Sequence, residues 1–146
     1  MEIKKVVVIG SGTMGCGIAA QLCNANISVT LLDLTTEISE KARERIYKSR
    51  PPLLIDKSKV ENISIGNIND NFSIVSEADW IVEAVVERID IKHSIYEKIF
   101  KERKAGSIVS SNTSSIPIKV LSEKISEEEK KDFCITHFFN PVRYMD

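Results

Sequence analysis

Two short stretches hold the residues whose types and spacing could do chemistry. The first is Gly10-Ser11-Gly12-Thr13-Met14-Gly15. A glycine at the first position permits a tight turn, one at the third leaves room for a diphosphate, and one at the sixth lets helix and strand pack closely. A helix opening there would also offer its unpaired N–H groups and positive dipole end to phosphate oxygens. Asp33 ends the next apolar run, near the roughly 20-residue distance at which such folds carry the acid that grips a ribose. The plainer alternative is that the glycines only build a turn and Asp33 only caps a strand. A strand before the loop, a helix after it and the acid beyond favour binding. A carboxylate at Asp33 would accept bonds from both ribose hydroxyls of NAD but repel the 2′-phosphate of NADP, so NAD is the expected cofactor. The second stretch is Thr136-His137-Phe138-Phe139-Asn140-Pro141, where a lone imidazole follows an apolar strand. It could be a satisfied core histidine or a proton-transfer group.

These residues need a scaffold, and hydrophobic periodicity outlines one. Val6, Val7, Val8 and Ile9 form a β-branched run closed by glycine, the pattern of a strand buried on both faces. Met14, Ile18 and Leu22 then recur at helical spacing, with Gly17, Ala19 and Ala20 keeping that helix slim; an end is expected near Ala25 and Asn26. Further strands are expected at 28–32, 63–65, 80–82 with 84–86, 107–109 and 133–135. Helices are expected over 37–48 on Ile38, Ala42 and Ile46, from near Asp90 on Ile91, Ile95 and Ile99, and through Ile118, Leu121 and Ile125. Pro51 and Pro52 end the first of these. Strand and helix alternate, which predicts an α/β fold: a doubly wound, mostly parallel sheet of the Rossmann dinucleotide-binding type, with ligands on the rim formed by the strands' carboxyl ends.

Composition narrows the function further. The 146 residues suffice for one domain, and 20 basic against 21 acidic side chains give a net charge of -1. That balance provides no electrostatic reason to bind nucleic acid or an anionic membrane. Three cysteines with no CxxC pair, and only two histidines, make neither a metal site nor a disulfide framework. The initial apolar run stops at Gly10, too short for a signal core, and no stretch approaches the about 20 apolar residues of a membrane span; a cytoplasmic protein is expected.

Beyond this, the chain resembles the amino-terminal, NAD-binding domain of the L-3-hydroxyacyl-CoA dehydrogenases over nearly its whole length, 1–146. The segments that carry the resemblance are 8–15, Asp79-Trp80-Ile81-Val82-Glu83-Ala84-Val85-Val86-Glu87, Ser111-Asn112-Thr113-Ser114-Ser115, and His137-Phe138-Phe139-Asn140-Pro141. The wording of the last two is most similar to bacterial members in which the domain is fused into a longer β-oxidation polypeptide. The resemblance implies NAD-dependent oxidation of an L-3-hydroxyacyl-CoA to the 3-ketoacyl-CoA, in fatty acid β-oxidation or 3-hydroxybutyryl-CoA metabolism. His137 matches the catalytic base, a role that suits an imidazole. Gly10, Gly12, Thr13, Met14, Gly15, Asp33, Val85, Val86, Glu87 and Lys92 match cofactor contacts. Ser114 and Asn140 match residues bonding the substrate and the nicotinamide end of the cofactor. Their plainer alternative is loop capping, and for Glu87 and Lys92 it is a solvated charged pair. His93 matches nothing and is expected to be an exposed helix residue.

Two departures from the family are expected to matter. The glutamate that orients the histidine lies about a dozen residues beyond it in the family, past Asp146, as does the helical carboxyl-terminal domain that forms one wall of the acyl cleft. An acyl-CoA substrate and a completing domain, on the same or a separate chain, are therefore the expected partners, and a homodimer is possible through apolar Phe138, Phe139, Val142, Tyr144 and Met145. The alternatives are a non-catalytic NAD-binding fragment and a dehydrogenase of a non-CoA hydroxy acid. The segment between Asp33 and Ile63 is shortened relative to the family, and Lys48, Arg50, Lys57 and Lys59 on it read as a solvated basic face.

Overall fold

The computed structural model describes residues 2–144. Six strands form one sheet in the order β3-β2-β1-β4-β5-β6. They are β1 (Lys5–Ile9), β2 (Ser28–Asp33), β3 (Ile63–Asn67), β4 (Trp80–Glu83), β5 (Ile108–Ser111) and β6 (Phe133–Ile135). All five pairings are parallel. Val6 to Ile9 are at most 2% exposed, as a strand covered on both faces requires. Val6 and Val8 face a core shared with α1 (Thr13–Asn24) and α2 (Thr36–Lys48). Val7 and Ile9 face a second core shared with α3 (Ile89–Glu102) and with Leu121 of the short α4 (Ile118–Leu121). The strand order reverses between β1 and β4, which opens a crevice at their carboxyl ends, above the glycine loop. Among the described residues no helix is long and apolar enough to cross a membrane.

Local chemistry explains the ends of the elements. Asn26 takes the left-handed conformation (φ 61°) that terminates α1, as its amide side chain favours. The Thr35 hydroxyl accepts from the Ile38 N–H to start α2.

Several expected boundaries shift, and polar residues are the cause. In α2 it is Ser39, not Ile38, that turns inward: Ile38 is 39% exposed, whereas Ser39 is buried with its hydroxyl donating to the Gly66 carbonyl at 2.8 Å. β4 stops at Glu83, and 84–86 leave the sheet because the Glu83 carboxylate accepts the Val85 N–H at 2.9 Å and turns the chain. β5 continues through Ser110 and Ser111, both buried. The Ser110 hydroxyl accepts from Trp80 Nε1 (2.9 Å) and Thr136 Oγ1 (2.7 Å), so the sheet keeps its polar residues satisfied. The helix expected through Ile118, Leu121 and Ile125 shortens to α4: Ile125 lies in the turn that follows it, before a separate α5 (Glu127–Lys130), and Ile118 is exposed.

Candidate active site

The glycine loop is held from three directions. Gly10 donates to the Leu32 carbonyl at 2.8 Å. Asp33 Oδ2 accepts from the Ser11 N–H (2.8 Å) and hydroxyl (2.5 Å), and Arg45 donates to the Ser11 carbonyl at 2.7 Å. Asp33 Oδ1 accepts from Leu34 N–H at 2.7 Å. A carboxylate has about four acceptor positions, so Asp33 keeps roughly one for a ribose hydroxyl and can exchange the Ser11 hydroxyl for another. Within α1 the first closed turn is Cys16 N–H to the Gly12 carbonyl, which leaves the preceding N–H groups to a ligand.

The three glycines differ in what they permit. A Cβ at Gly15 would lie 1.8 Å from the Gly10 carbonyl oxygen, and one at Gly10 would meet the Ala84 carbonyl at 2.4 Å with φ at +104°. At Gly12 nothing lies within 4 Å: the space a Cβ would fill is open, as a diphosphate cradle requires. Gly15→Ala is therefore expected to destabilise the fold by about 3 kcal/mol or more through backbone overlap. Gly12→Ala should leave stability within about 0.5 kcal/mol but weaken NAD binding tenfold or more, about 1.4 kcal/mol. Thermal denaturation and calorimetry on the two variants separate these effects; equal losses of stability would contradict the assignment.

Along the rim this loop borders a cavity of about 410 Å³ whose walls are mostly apolar, with Leu34, Ile68, Val85, Val86, Ile91 and Ile95, and with Asp33 as its carboxylate. That lining fits an adenosine. A second cavity, about 350 Å³, holds Glu87, Asn112, Ser114, His137, Phe138, Phe139 and Asn140. Met14, Ala84 and Val85 line both, so the two cavities form one trough across the ends of β1 and β4. His137 is exposed into it, its ring 4.8 Å from that of Phe139. The loop carrying it is pinned to the β5 loop: Asn112 Oδ1 accepts the Phe138 N–H at 2.8 Å and Ser111 O accepts the Thr136 N–H at 3.0 Å. Phe138 lies 6.4 Å from the Trp80 ring, beneath the loop. Ser114 and Asn140 are exposed and line this same cavity.

Beneath the trough lies a polar centre built on Glu83, which is fully buried. Its carboxylate accepts from Lys92 Nζ (2.6 Å), Val85 N–H (2.9 Å), Tyr96 OH (2.5 Å) and Ser111 Oγ (2.7 Å). Lys92 is only 1% exposed and lines neither cavity. It pairs with Glu83 and with Glu87 at 3.0 Å, which corrects the solvated-pair alternative. Glu87 also accepts from Thr113 Oγ1 (2.7 Å) and Ser115 Oγ (3.1 Å), joining the loops after β4 and β5. Burial opposes its charge, but the Thr113 and Lys92 hydrogen bonds and the Lys92 charge prevail and hold the carboxyl below its usual range. Burial, together with the neighbouring Glu83 charge, pushes the Tyr96 phenol above its ordinary range. Neither Glu83 nor Asn112 carries a role in the sequence reading; the only signal was their place inside two recognisable motifs.

Two further expectations change. His93 is half-buried rather than exposed, its Nε2 lying 2.9 Å from the Val120 carbonyl. In the terminal apolar set, Phe138 and Val142 pack on the core, Phe139 and Tyr144 remain exposed, and Met145 lies outside the described residues. On the basic face Lys48 and Arg50 are exposed as expected, Lys48 pairing with Glu44 at 2.6 Å, while the half-buried Lys59 donates to Asn26 at 3.1 Å and Lys57 sits over the Tyr47 ring.

Comparison with known proteins gives one consistent pattern. The family model described as "3-hydroxyacyl-CoA dehydrogenase, NAD binding domain" matches residues 5–146. A Deinococcus radiodurans protein named "Probable 3-hydroxyacyl-CoA dehydrogenase" is 41% identical over 99% of the chain, which spans 44% of that relative. The human protein named "Hydroxyacyl-coenzyme A dehydrogenase, mitochondrial" is 32% identical over 98% of the chain, which spans 48% of it. A Rickettsia felis relative at 43% identity is longer still, and the chain spans 21% of it. Among solved structures, the 3-hydroxybutyryl-CoA dehydrogenase of Escherichia coli K12 superposes with a TM-score of 0.82 at 27% identity, over 99% of this chain and 31% of that one.

Proposed function

We propose a function from one premise: the chain belongs to the 3-hydroxyacyl-CoA dehydrogenase family, whose NAD-binding domain it matches over residues 5–146. Its cofactor is NAD. The reaction we propose is oxidation of an L-3-hydroxyacyl-CoA to the 3-ketoacyl-CoA, with this chain supplying the cofactor site and the base. The observation that carries the reading is the continuous trough, with Asp33 at one end and His137 at the other.

Bound NAD⁺ supplies the hydride acceptor for the hydrogen on substrate C3. The chain's residues do the remaining work. The free N–H groups at the start of α1 hold the diphosphate, and Asp33 takes a ribose hydroxyl. An imidazole nitrogen of His137 accepts the proton of the C3 hydroxyl as the carbonyl forms, and returns it in the reverse direction. The Asn112 bond to the backbone of Phe138 keeps that imidazole at the trough. Ser114 and Asn140 orient the substrate oxygen and the carboxamide end of the cofactor, while Glu87 fixes the loops on either side and Lys92 acts through it. The second wall of the acyl cleft and a carboxylate partner for His137 are proposed to come from residues outside this sequence, on the same polypeptide or another. A reducing, cytoplasmic setting is proposed for its free thiols.

The test is NADH oxidation by acetoacetyl-CoA, measured on the chain alone and on the chain joined to the carboxyl-terminal half of the Deinococcus relative, alongside calorimetry with NAD⁺. Turnover by the joined protein is expected. NAD⁺ binding with no turnover in either form would leave a binding module in place of the enzyme, and no binding at all would refute the cofactor site.

A further inference from the structure

Among the described residues, the cavity that holds His137 is lined by one carboxylate, Glu87, and by no lysine or arginine. Glu87 is not an isolated surface charge. It belongs to a group of two carboxylates and one ammonium, Glu83, Glu87 and Lys92, with Glu83 and Lys92 essentially excluded from solvent. The group carries one formal negative charge in excess. Its geometry is fixed from below, since Glu83 holds Lys92 at 2.6 Å and Lys92 in turn holds Glu87 at 3.0 Å and the Val85 carbonyl at 3.3 Å. Thr113 and Ser115 fix the far side of Glu87.

We propose that this cluster makes the site prefer the oxidised over the reduced cofactor, with Glu83 as the positioning residue that holds Lys92 and, through it, Glu87. The inference rests on the NAD reading above. The two coenzyme forms share adenosine, diphosphate and both riboses; they differ by one positive charge on the nicotinamide ring. A negative excess beside the ring stabilises the cation and leaves the neutral ring nearly unaffected, so the ratio of the two affinities isolates the electrostatic contribution. Because the cluster is partly walled off from water, its field is screened less than that of a surface pair, although the 41% exposure of the Glu87 side chain limits the effect.

Calorimetric titration of the chain with NAD⁺ and with NADH tests this on wild type, Glu87→Gln and Glu83→Gln. Glutamine retains the shape of each side chain and removes one negative charge. At position 83 the amide oxygen can still face Lys92 and the Val85 N–H, while the NH₂ faces the Tyr96 and Ser111 hydroxyls, which can turn to accept. Both variants are expected to raise the ratio Kd(NAD⁺)/Kd(NADH) by about three- to tenfold, the size of one partly screened charge at this range. A purely structural role for Glu83 would weaken both forms alike and leave the ratio unmoved, and an unmoved ratio in Glu87→Gln overturns the proposal outright. Should Glu83→Gln fail to fold, as circular dichroism would reveal, the more exposed Glu87→Gln decides. Wild type that binds neither form refutes the NAD reading and this proposal together, whereas wild type that binds both with ratios indifferent to either variant refutes the proposal alone.

Discussion

Replacement of His137 by alanine should lower NADH-dependent reduction of acetoacetyl-CoA in the joined protein by about 10²–10⁴-fold, the usual contribution of a positioned general acid–base. NAD⁺ affinity should change by less than about twofold, or 0.4 kcal/mol. The split follows from where the side chain sits. The ring is exposed and lies against Phe139 at a tilt of 49°, and the backbone on either side of it is held by other groups: Thr136 by the Ser111 carbonyl, Phe138 by Asn112. Alanine therefore removes the proton acceptor without releasing the loop. Glutamine at 137 keeps most of the volume and should lose activity to the same extent, because its amide cannot take the proton. A joined protein that retained more than a tenth of its rate in either variant would place the base elsewhere.

The same contrast between side chain and support marks how much of the molecule its sequence discloses. The glycine loop, the β-branched run ahead of it and the acid at the end of the next strand are each dictated by local sterics and periodicity, and all are found where those rules put them. Asn26 is similar, since a left-handed residue at a helix end is a local requirement. What escaped were buried polar residues. Ser110 and Ser111 look like the end of a strand yet sit inside the sheet, because Trp80, Thr136 and Glu83 complete their hydrogen bonds across 26 to 30 residues of chain. Ser39 replaces Ile38 on the inner face of α2 because the Gly66 carbonyl waits for a donor. Lys92 has a solvated charged pair as its plainer reading, and Glu83 has no role at all, until the two, nine positions apart and on different elements, are brought together. A rule that assigns polar residues to solvent fails where distant partners satisfy them, and those are the places that shape the trough.

The buried pair also carries the larger of the expected stability effects. Lys92→Met is expected to cost about 3–5 kcal/mol, since the Glu83 charge would remain in a dry interior without its cation. For a chain of this length that corresponds to a melting temperature lower by about 6–20 °C. Glu83→Leu should cost at least as much, because it leaves the buried Lys92 ammonium only the part-exposed Glu87 and the Val85 carbonyl, and takes the acceptor from Val85 N–H, Tyr96 OH and Ser111 Oγ as well. The informative measurement is the double variant. With both charges gone, no uncompensated ion is left inside, so its loss should fall short of the sum of the two single losses by about 1–3 kcal/mol. It should not return to wild type, because the Tyr96 and Ser111 hydroxyls still lack an acceptor. Strict additivity in denaturant unfolding would mean that Glu83 and Lys92 are stabilised independently. The cluster could not then transmit the position of Glu83 to Glu87, and the electrostatic bias proposed for the site would lose its structural basis. Coupling of the expected size would instead mean that the residues shaping the cofactor side of the trough and those keeping the sheet intact are the same residues, so that substitutions tuning one must be checked for their effect on the other.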